Sequence, residues 1–418
     1  MTSNNYRFDL SDRLIHFFRD IEIGSIDAPP MPEHFGFNNF VEGEKYPAFF
    51  LLRMAIRMHR LCATWSVRGK DRLIYGPLPA VCFSEMPLAA FLESSRKREM
   101  AGEKMSSYGL TFSKIGLHER GANPVIYGLT NRNARGYYHE NGTRLLNEAC
   151  LPLDEQYRYV VYNPAPHVKI DWTHEREWRW PFMGDFDKVT AELKEFGVIS
   201  DARDIPGLDI ASKQLVSIGV VVKTKEEAEY VTHDILTLID RKDVGRNHFH
   251  HVLVTDLLPP TAELYDPANV QKATYKTVVD FDEHFDFPKR EVKKAEAEFA
   301  EWAATIEKNT DAMLPGLQGG CWLWLLDNSH PFVRCLLQSG RVTVNKEGRY
   351  LANLVEFDSS RSITQRQEMA QKIAAKVRKK YDIPCDYFSV MGAYGIDDVP
   401  FNVDDDFLEN RAFYNVDF

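Results

Sequence analysis

Long apolar runs are missing from this 418-residue chain. Runs such as "AVCF" and "VSIGVVV" are strand-length, far short of the ~20 residues a membrane-spanning helix needs. The opening "MTSNNYRFDLSDRL" has no apolar core of a secretory signal. Cysteine is sparse. Cys62, Cys82, Cys150, Cys321, Cys335 and Cys385 are scattered and form no Cys-x-x-Cys pair. Free, buried thiols in a reducing cytoplasm are the expectation. An excess of positive charge is also absent. Lys and Arg total 51 against 61 Asp and Glu, a net −10, so no global attraction to nucleic acid exists and only a local basic groove stays open. There is no P-loop, no G-x-G-x-x-G after a strand, no G-x-S-x-G, no H-E-x-x-H and no kinase motif set. The usual nucleotide kinases, ATPases, Rossmann dehydrogenases and serine hydrolases are thereby set aside.

What is present is a foldable chain, 44% hydrophobic and 12% aromatic, long enough for two or three domains. Ser11 reads as the cap of a short helix, "DRLIHFFRDI", and a Gly/Pro/Asn-rich loop follows over 24–39. "YPAFFLLRMAIRMHRLC" (46–62) reads as one helix by length and period. "AVCFSE" (80–85) reads as a strand, and a helix starts at Met86-Pro87 and runs to about Arg98. Further strands are expected at 106–114, 124–129, 157–163 and 174–180. Residues 215–257 read as a β-α-β unit.

Residues 1–257 therefore form one α+β domain of many short strands with helical insertions. Residues 258–312 are a connector whose charged helix, about 288–309, is a spacer or a surface-docked element. Residues 313–418 form a smaller α+β domain. It has a strand at "CWLWLLD", a helix closed by Gly340, a hairpin around "KEG", an amphipathic helix over 362–381 and a strand at "CDYFSVMG". Its tail is acidic, with Asp404, Asp405 and Asp406.

"WTHEREWRWPF" (172–182) is the densest chemistry in the chain, with two glutamates, two arginines, a histidine and three tryptophans. Read as a strand, it puts Thr173, Glu175, Glu177 and Arg179 on one face and His174, Arg176, Trp178 and Trp180 on the other. Two carboxylates near an arginine suit a reaction that builds positive charge at a sugar carbon. One stabilises that charge and the other orients or deprotonates the acceptor. The alternative is a solvated strand with weak Glu–Arg pairs.

Other constellations carry similar pairs of readings. Ser84 and Glu85 leave a strand end before a helix, either to meet a ligand or to cap that helix. His16 lies among apolar residues and is either a core histidine or a holder of adenosine ribose. His248 and His250 alternate in "NHFHH", but nothing acidic stands at ligand spacing, so no metal site is expected. Asp327, Asn328, Ser329 and His330 form a capping turn or a binding loop. Lys376, Arg378, Lys379 and Lys380 read as a solvated helix face.

Three pieces in order, "VCFSEMPLAAF", "YGLTFSKIGLHERGANPVIYG" and "EREWRW", resemble bacterial abortive-infection proteins and related phage-defence families over roughly 1–255. The block "GGCWLWLLDNSHPFVRCLLQSGRVTVNKEGRYL" resembles a companion domain in such proteins. Some of these proteins look like ADP-ribosyltransferases, and the resemblance implies their split β-sandwich around NAD as substrate. It then implies His16 (or Arg13) as the first-strand residue, Ser84 or Tyr108 as the middle one, Glu177 as the catalytic glutamate and Glu175 as the acceptor-facing carboxylate, with Arg179 beside them. A helix over 12–21 departs from that pattern, which asks for a strand at His16. The implied protein is a cytoplasmic, toxin-like effector of phage defence that modifies nucleic acid or protein, with an antitoxin or other defence-system partner and no membrane. The alternative is a non-enzymatic sensor or antitoxin-like binding protein. A nuclease ranks last, since the acidic residues lack metal-binding spacing.

Overall fold

The computed structural model describes residues 10–22, 45–68, 71–103, 105–129, 143–165, 170–189, 204–266, 281–313 and 315–398, with a few isolated positions besides. Most of the 24–39 loop and the acidic triplet Asp404, Asp405 and Asp406 lie outside the described residues.

The fold is α+β. Its larger part is built on a seven-stranded sheet from Arg13–Phe17 (β1), Ala80–Ser84 (β2), Gly109–Ser113 (β3), Asn123–Pro124 (β4), Glu177–Pro181 (β5), Ile218–Val222 (β6) and Phe249–Val254 (β7). The spatial order is β7-β6-β3-β1-β2-β5-β4. All neighbours are antiparallel except β6 and β7, the parallel pair joined by helix α4, as the β-α-β reading expects. Helices of this part include Ala48–Arg57 (α1), Leu88–Met100 (α2), Lys114–Glu119 (α3) and Lys225–Asp240 (α4).

Strand alternation gives the sheet two apolar faces. Leu14, Val81, Phe83, Leu110 and Val220 pack with α1 and α4. Ile15, Val221 and Leu253 pack on the opposite face with Met86 and Phe91. Helix α4 starts at a capping box, Thr224 with Glu227, which satisfies two otherwise orphaned backbone donors. It is tied to α1 by charge: Asp234 is fully buried and accepts from Arg53 at 2.9 and 3.1 Å and from Arg57 at 2.9 Å.

Two readings of local structure are corrected here. Residues 12–21 do not form a helix. Arg13–Phe17 is a strand, and Ser11 makes a local turn with Arg13 instead of capping a helix. Five consecutive positions pair with β3, and that long-range ladder outweighs the local helical pattern. The helix over 46–62 also breaks. His59 takes a left-handed φ of 43°, and Arg60–Cys62 then pairs as a strand with Gly207–Asp209. The apolar run is continuous across the break, so periodicity does not reveal it.

The C-terminal part is a four-stranded antiparallel sheet, Gly319–Leu325 (β8), Val342–Val344 (β9), Tyr350–Asn353 (β10) and Cys385–Met391 (β11), in the order β9-β10-β8-β11. Helices Lys289–Lys308 (α5), Pro331–Ser339 (α6) and Ile363–Tyr381 (α7) accompany it. Gly340 closes α6 with φ 83°, a conformation that suits glycine. Helix α5 is docked: Ala295, Phe299, Ala303 and Ile306 join the core formed with Leu323, Leu336 and Ile373. The two parts meet at the end of α4. Arg334 grips Asp240 at 2.5 and 2.9 Å, the Tyr350 hydroxyl donates to Asp240 at 2.6 Å, and Asn328 donates to Thr237 at 3.0 Å. Among the described residues, no helix is long and apolar enough to cross a membrane.

Candidate functional site

Strands β1 and β2 are joined at one paired position, Ile15 with Ser84. Where they diverge, the His16 ring takes over and places Nδ1 2.9 Å from the Cys82 carbonyl oxygen. A cavity of about 1140 Å³ opens at this split, somewhat larger than the ~300–1,000 Å³ of ordinary organic-ligand pockets. Its lining includes His16, Cys82, Ser84, Glu175, Glu177 and Arg179. Alternation places His16 and Phe83 toward one face and Ser84, Glu177 and Arg179 toward the other. The cavity thus meets His16 and the glutamates from opposite sides of the sheet.

On the His16 side, α1 supplies Leu51, Met54 and Ala55, and Met58 follows at its C-terminal cap. The His16 ring packs edge-on to Phe18 and Phe83, with centroids 5.0 and 5.8 Å away. Burial drives its pKa down to about 4, partly opposed by the Cys82 carbonyl, so the ring is neutral at pH 7. With Nδ1 bearing the proton toward Cys82, Nε2 is left as an acceptor.

On the other side, "WTHEREWRW" does not run as one strand. Thr173–Glu175 is a single 3-10 turn, Arg176 is left-handed with φ 46°, and the strand begins at Glu177. The expected shared face of Thr173, Glu175, Glu177 and Arg179 is therefore corrected to Glu177 and Arg179 alone. Glu175 reaches the cavity by way of the kink. Tyr127 braces it, donating to the Trp172 carbonyl at 3.2 Å and accepting from the Glu177 amide at 2.9 Å. Trp178 and Trp180 take the opposite face, and their indoles donate to Glu85 and to the Arg120 carbonyl, both at 2.8 Å.

The two carboxylates have different surroundings. Glu177 is held by both oxygens, from Arg179 Nε at 2.7 Å and Nη2 at 3.2 Å. Arg179 also donates to the Tyr157 carbonyl at 2.6 Å. Glu175 meets Arg98 Nη1 at 2.9 Å. Burial first, and Glu177 second, push the Glu175 carboxyl above its ordinary range, and Arg98 opposes them.

The remaining expected residues scatter. The Ser84 hydroxyl lines the cavity but is engaged, donating to the Glu175 carbonyl at 2.7 Å and accepting from the Met86 amide at 3.2 Å. Neither bond caps α2, which begins at Leu88 behind Pro87 without a side-chain cap; Ser84 instead closes a local turn and anchors the Glu175 backbone. Tyr108 is not among the cavity residues. Its hydroxyl donates to Glu227 at 2.6 Å, where burial, then Glu227, raises its pKa. Arg13 points to the face opposite His16, bonding Thr111 Oγ1 at 3.1 Å and the Ser217 carbonyl at 2.6 Å.

His248 bonds the Ile210 carbonyl at 2.7 Å, and His250 lies 3.0 Å from His251, Nδ1 to Nδ1. Among the described residues, no three His, Cys, Asp or Glu side chains are grouped to hold a metal. Asp327 caps its own turn through the Ser329 and His330 amides at 2.9 and 3.1 Å. Lys376, Arg378, Lys379 and Lys380 are exposed.

Sequence reasoning passed over Arg98 and Trp172. Arg98 sits in "SSRKREM", which looks like the solvated end of α2. Its guanidinium nevertheless lies 5.7 Å from the Trp172 ring centroid, and both residues line the cavity. The one available signal was a tryptophan opening the charged stretch.

No curated protein and no solved structure matches the chain. Residues 288–416, which take in α5 and the C-terminal sheet, match a family described as a protein of unknown function (DUF4427).

Proposed function

We propose that the protein is an ADP-ribosyltransferase that moves ADP-ribose from NAD to a nucleic acid or protein acceptor, as a cytoplasmic effector of phage defence. The observation that carries this reading is that Glu175 and Glu177 line one large cavity that continues to His16 on the first strand of the sheet. With β1 a strand, the position of His16 agrees with the pattern of the resembled family. The split β-sandwich of that family belongs to the same reading.

The chemistry follows from the two sides of the cavity. NAD carries two riboses joined by a diphosphate, so it can span the split. His16 Nε2 accepts a hydroxyl of the adenosine ribose. At the other end the ribosyl–nicotinamide bond breaks, and its electron pair goes to the pyridinium nitrogen. Glu177, fixed by Arg179, stabilises the cationic ribosyl carbon that remains. The acceptor attacks that carbon and gives its proton to Glu175. Labelled NAD with DNA, RNA and cell lysate tests this. Transfer by the wild type and its loss in Glu177→Gln is expected.

A second reading has its own observation. Both Glu177 oxygens are taken by Arg179, and the Ser84 hydroxyl is saturated by backbone. Such a wall suits a sensor or antitoxin-like protein that binds a ligand or defence partner without turning it over. In that case Glu177→Gln alters partner binding and no transfer occurs in any protein.

A further inference from the structure

Among the described residues, Glu175 pairs with one guanidinium, and that guanidinium is shared. Arg98, in the last turn of α2, puts Nη1 2.9 Å from Glu175 Oε1 and Nε 2.8 Å from Glu103 Oε2. The Arg98 and Glu175 side chains are each 16% exposed, whereas Glu103 is 54% exposed. One end of the arrangement is thus inside and the other is wet. Trp172 stands beside the guanidinium and narrows its choice of position. All four residues line the same cavity.

Other groups also act on Glu175. Glu177 faces it from β5 and His174 from its own turn, and Tyr127 is close enough to feel its charge. Glu177 is already engaged by Arg179, and among the described residues Arg98 is the cation that makes an ion pair with Glu175.

We propose that Arg98 is a positioning residue for Glu175, and that Glu103 tunes it by drawing the same guanidinium toward the cavity rim. This rests on the reading of Glu175 as the acceptor-side carboxylate. A proton-accepting group must be ionised and aimed. Burial and Glu177 both favour the protonated form, and the charged hydrogen bond from Arg98 Nη1 favours the ionised form and fixes its direction. The consequence is a pair of opposite effects from two adjacent substitutions. Without Arg98, Glu175 keeps its proton to higher pH. Without Glu103, the guanidinium belongs to Glu175 alone, and Glu175 ionises at lower pH. A merely structural Arg98 gives no such pair.

Carbon-13 NMR titration of glutamate carboxyls in the full chain tests this, with the Glu175 signal identified by its loss in Glu175→Gln. Arg98→Gln is expected to raise the Glu175 midpoint by about one pH unit or more. Arg98→Lys raises it less, and Glu103→Gln lowers it. If Arg98→Gln does not fold, Glu103→Gln, an exposed substitution, and Arg98→Lys carry the test. An unchanged midpoint in both, or shifts of the same sign, overturns the proposal. NAD turnover measured on the same samples keeps the two ideas apart. Turnover without the shifts removes Arg98 from this role and leaves the transferase reading. Opposite shifts without turnover support the Arg98–Glu175 relationship and count against the transferase.

Discussion

Glu177 and Arg179, two residues apart on β5, hold each other by parallel hydrogen bonds of 2.7 and 3.2 Å on the wall of the cavity. Arg179 is 4% exposed and Glu177 14%, so neither charge has water as an easy substitute. The pair fixes the carboxylate in place before any ligand arrives.

Breaking that pair from the arginine side leaves a carboxylate without its cation and the Tyr157 carbonyl without its donor. Arg179→Met is expected to cost about 3–5 kcal/mol. Glu177→Gln keeps an amide acceptor beside Arg179 and costs about 1–3 kcal/mol. Urea denaturation measures both. A loss under about 1 kcal/mol in Arg179→Met contradicts the buried clamp.

Asp234 makes a parallel case at the junction of α1 and α4. Burial opposes its charge, but Arg53 and Arg57 outweigh burial and hold the carboxyl below its ordinary value. Its contribution is present above the unfolded pKa and is lost as pH falls through the lower folded one. Asp234→Asn is expected to cost about 3–5 kcal/mol at pH 7, read from denaturant midpoints. Because α1 also walls the cavity, ligand binding should weaken in the same variant.

Stability should also fall on mild acidification, for a different reason. Burial lowers His16 and His233 from 6.5 to about 4, and His251 to about 3. Unfolded chains bind protons at these histidines below about pH 6.5 while the folded protein does not, so stability rises with pH between about 4 and 6.5. His16→Gln should flatten that slope, by at most about 3 kcal/mol across the window. Identical slopes in wild type and variant, measured by denaturation at several pH values, would show that His16 charges freely in the fold.

Helix α5 gives a fourth test. Phe299 is fully buried in the core of the C-terminal part. Phe299→Ala in the full chain should cost about 3–5 kcal/mol. A cost under about 1 kcal/mol would return α5 to the status of a spacer.

The parts of this fold that were legible in the sequence are those set by local pattern. The β6-α4-β7 unit, α5 and the C-terminal elements fall within a few residues of their expected places, because period, caps and Gly340 all agree there. The parts that were not legible depend on distant partners. "RLIHF" becomes a strand through pairing with residues about a hundred positions away. The kink at Arg176 has no glycine to announce it. At the site, the alternation of Glu177 and Arg179 against Trp178 and Trp180 was readable. The partnership of Arg98 with Glu175 was not, since 77 residues separate them. Nor was the burial of Arg53 and Arg57, whose partner Asp234 lies on another helix.

The central claim is that Glu177 stands at a transferase centre. Purified full-length protein, wild type beside Glu177→Gln, is incubated with NAD labelled in the adenosine half, with DNA, RNA, bacterial lysate and phage-infected lysate. The account predicts label on a macromolecule with the wild type and none with the folded variant. Label in neither, with both proteins folded and the infected lysate included, contradicts it.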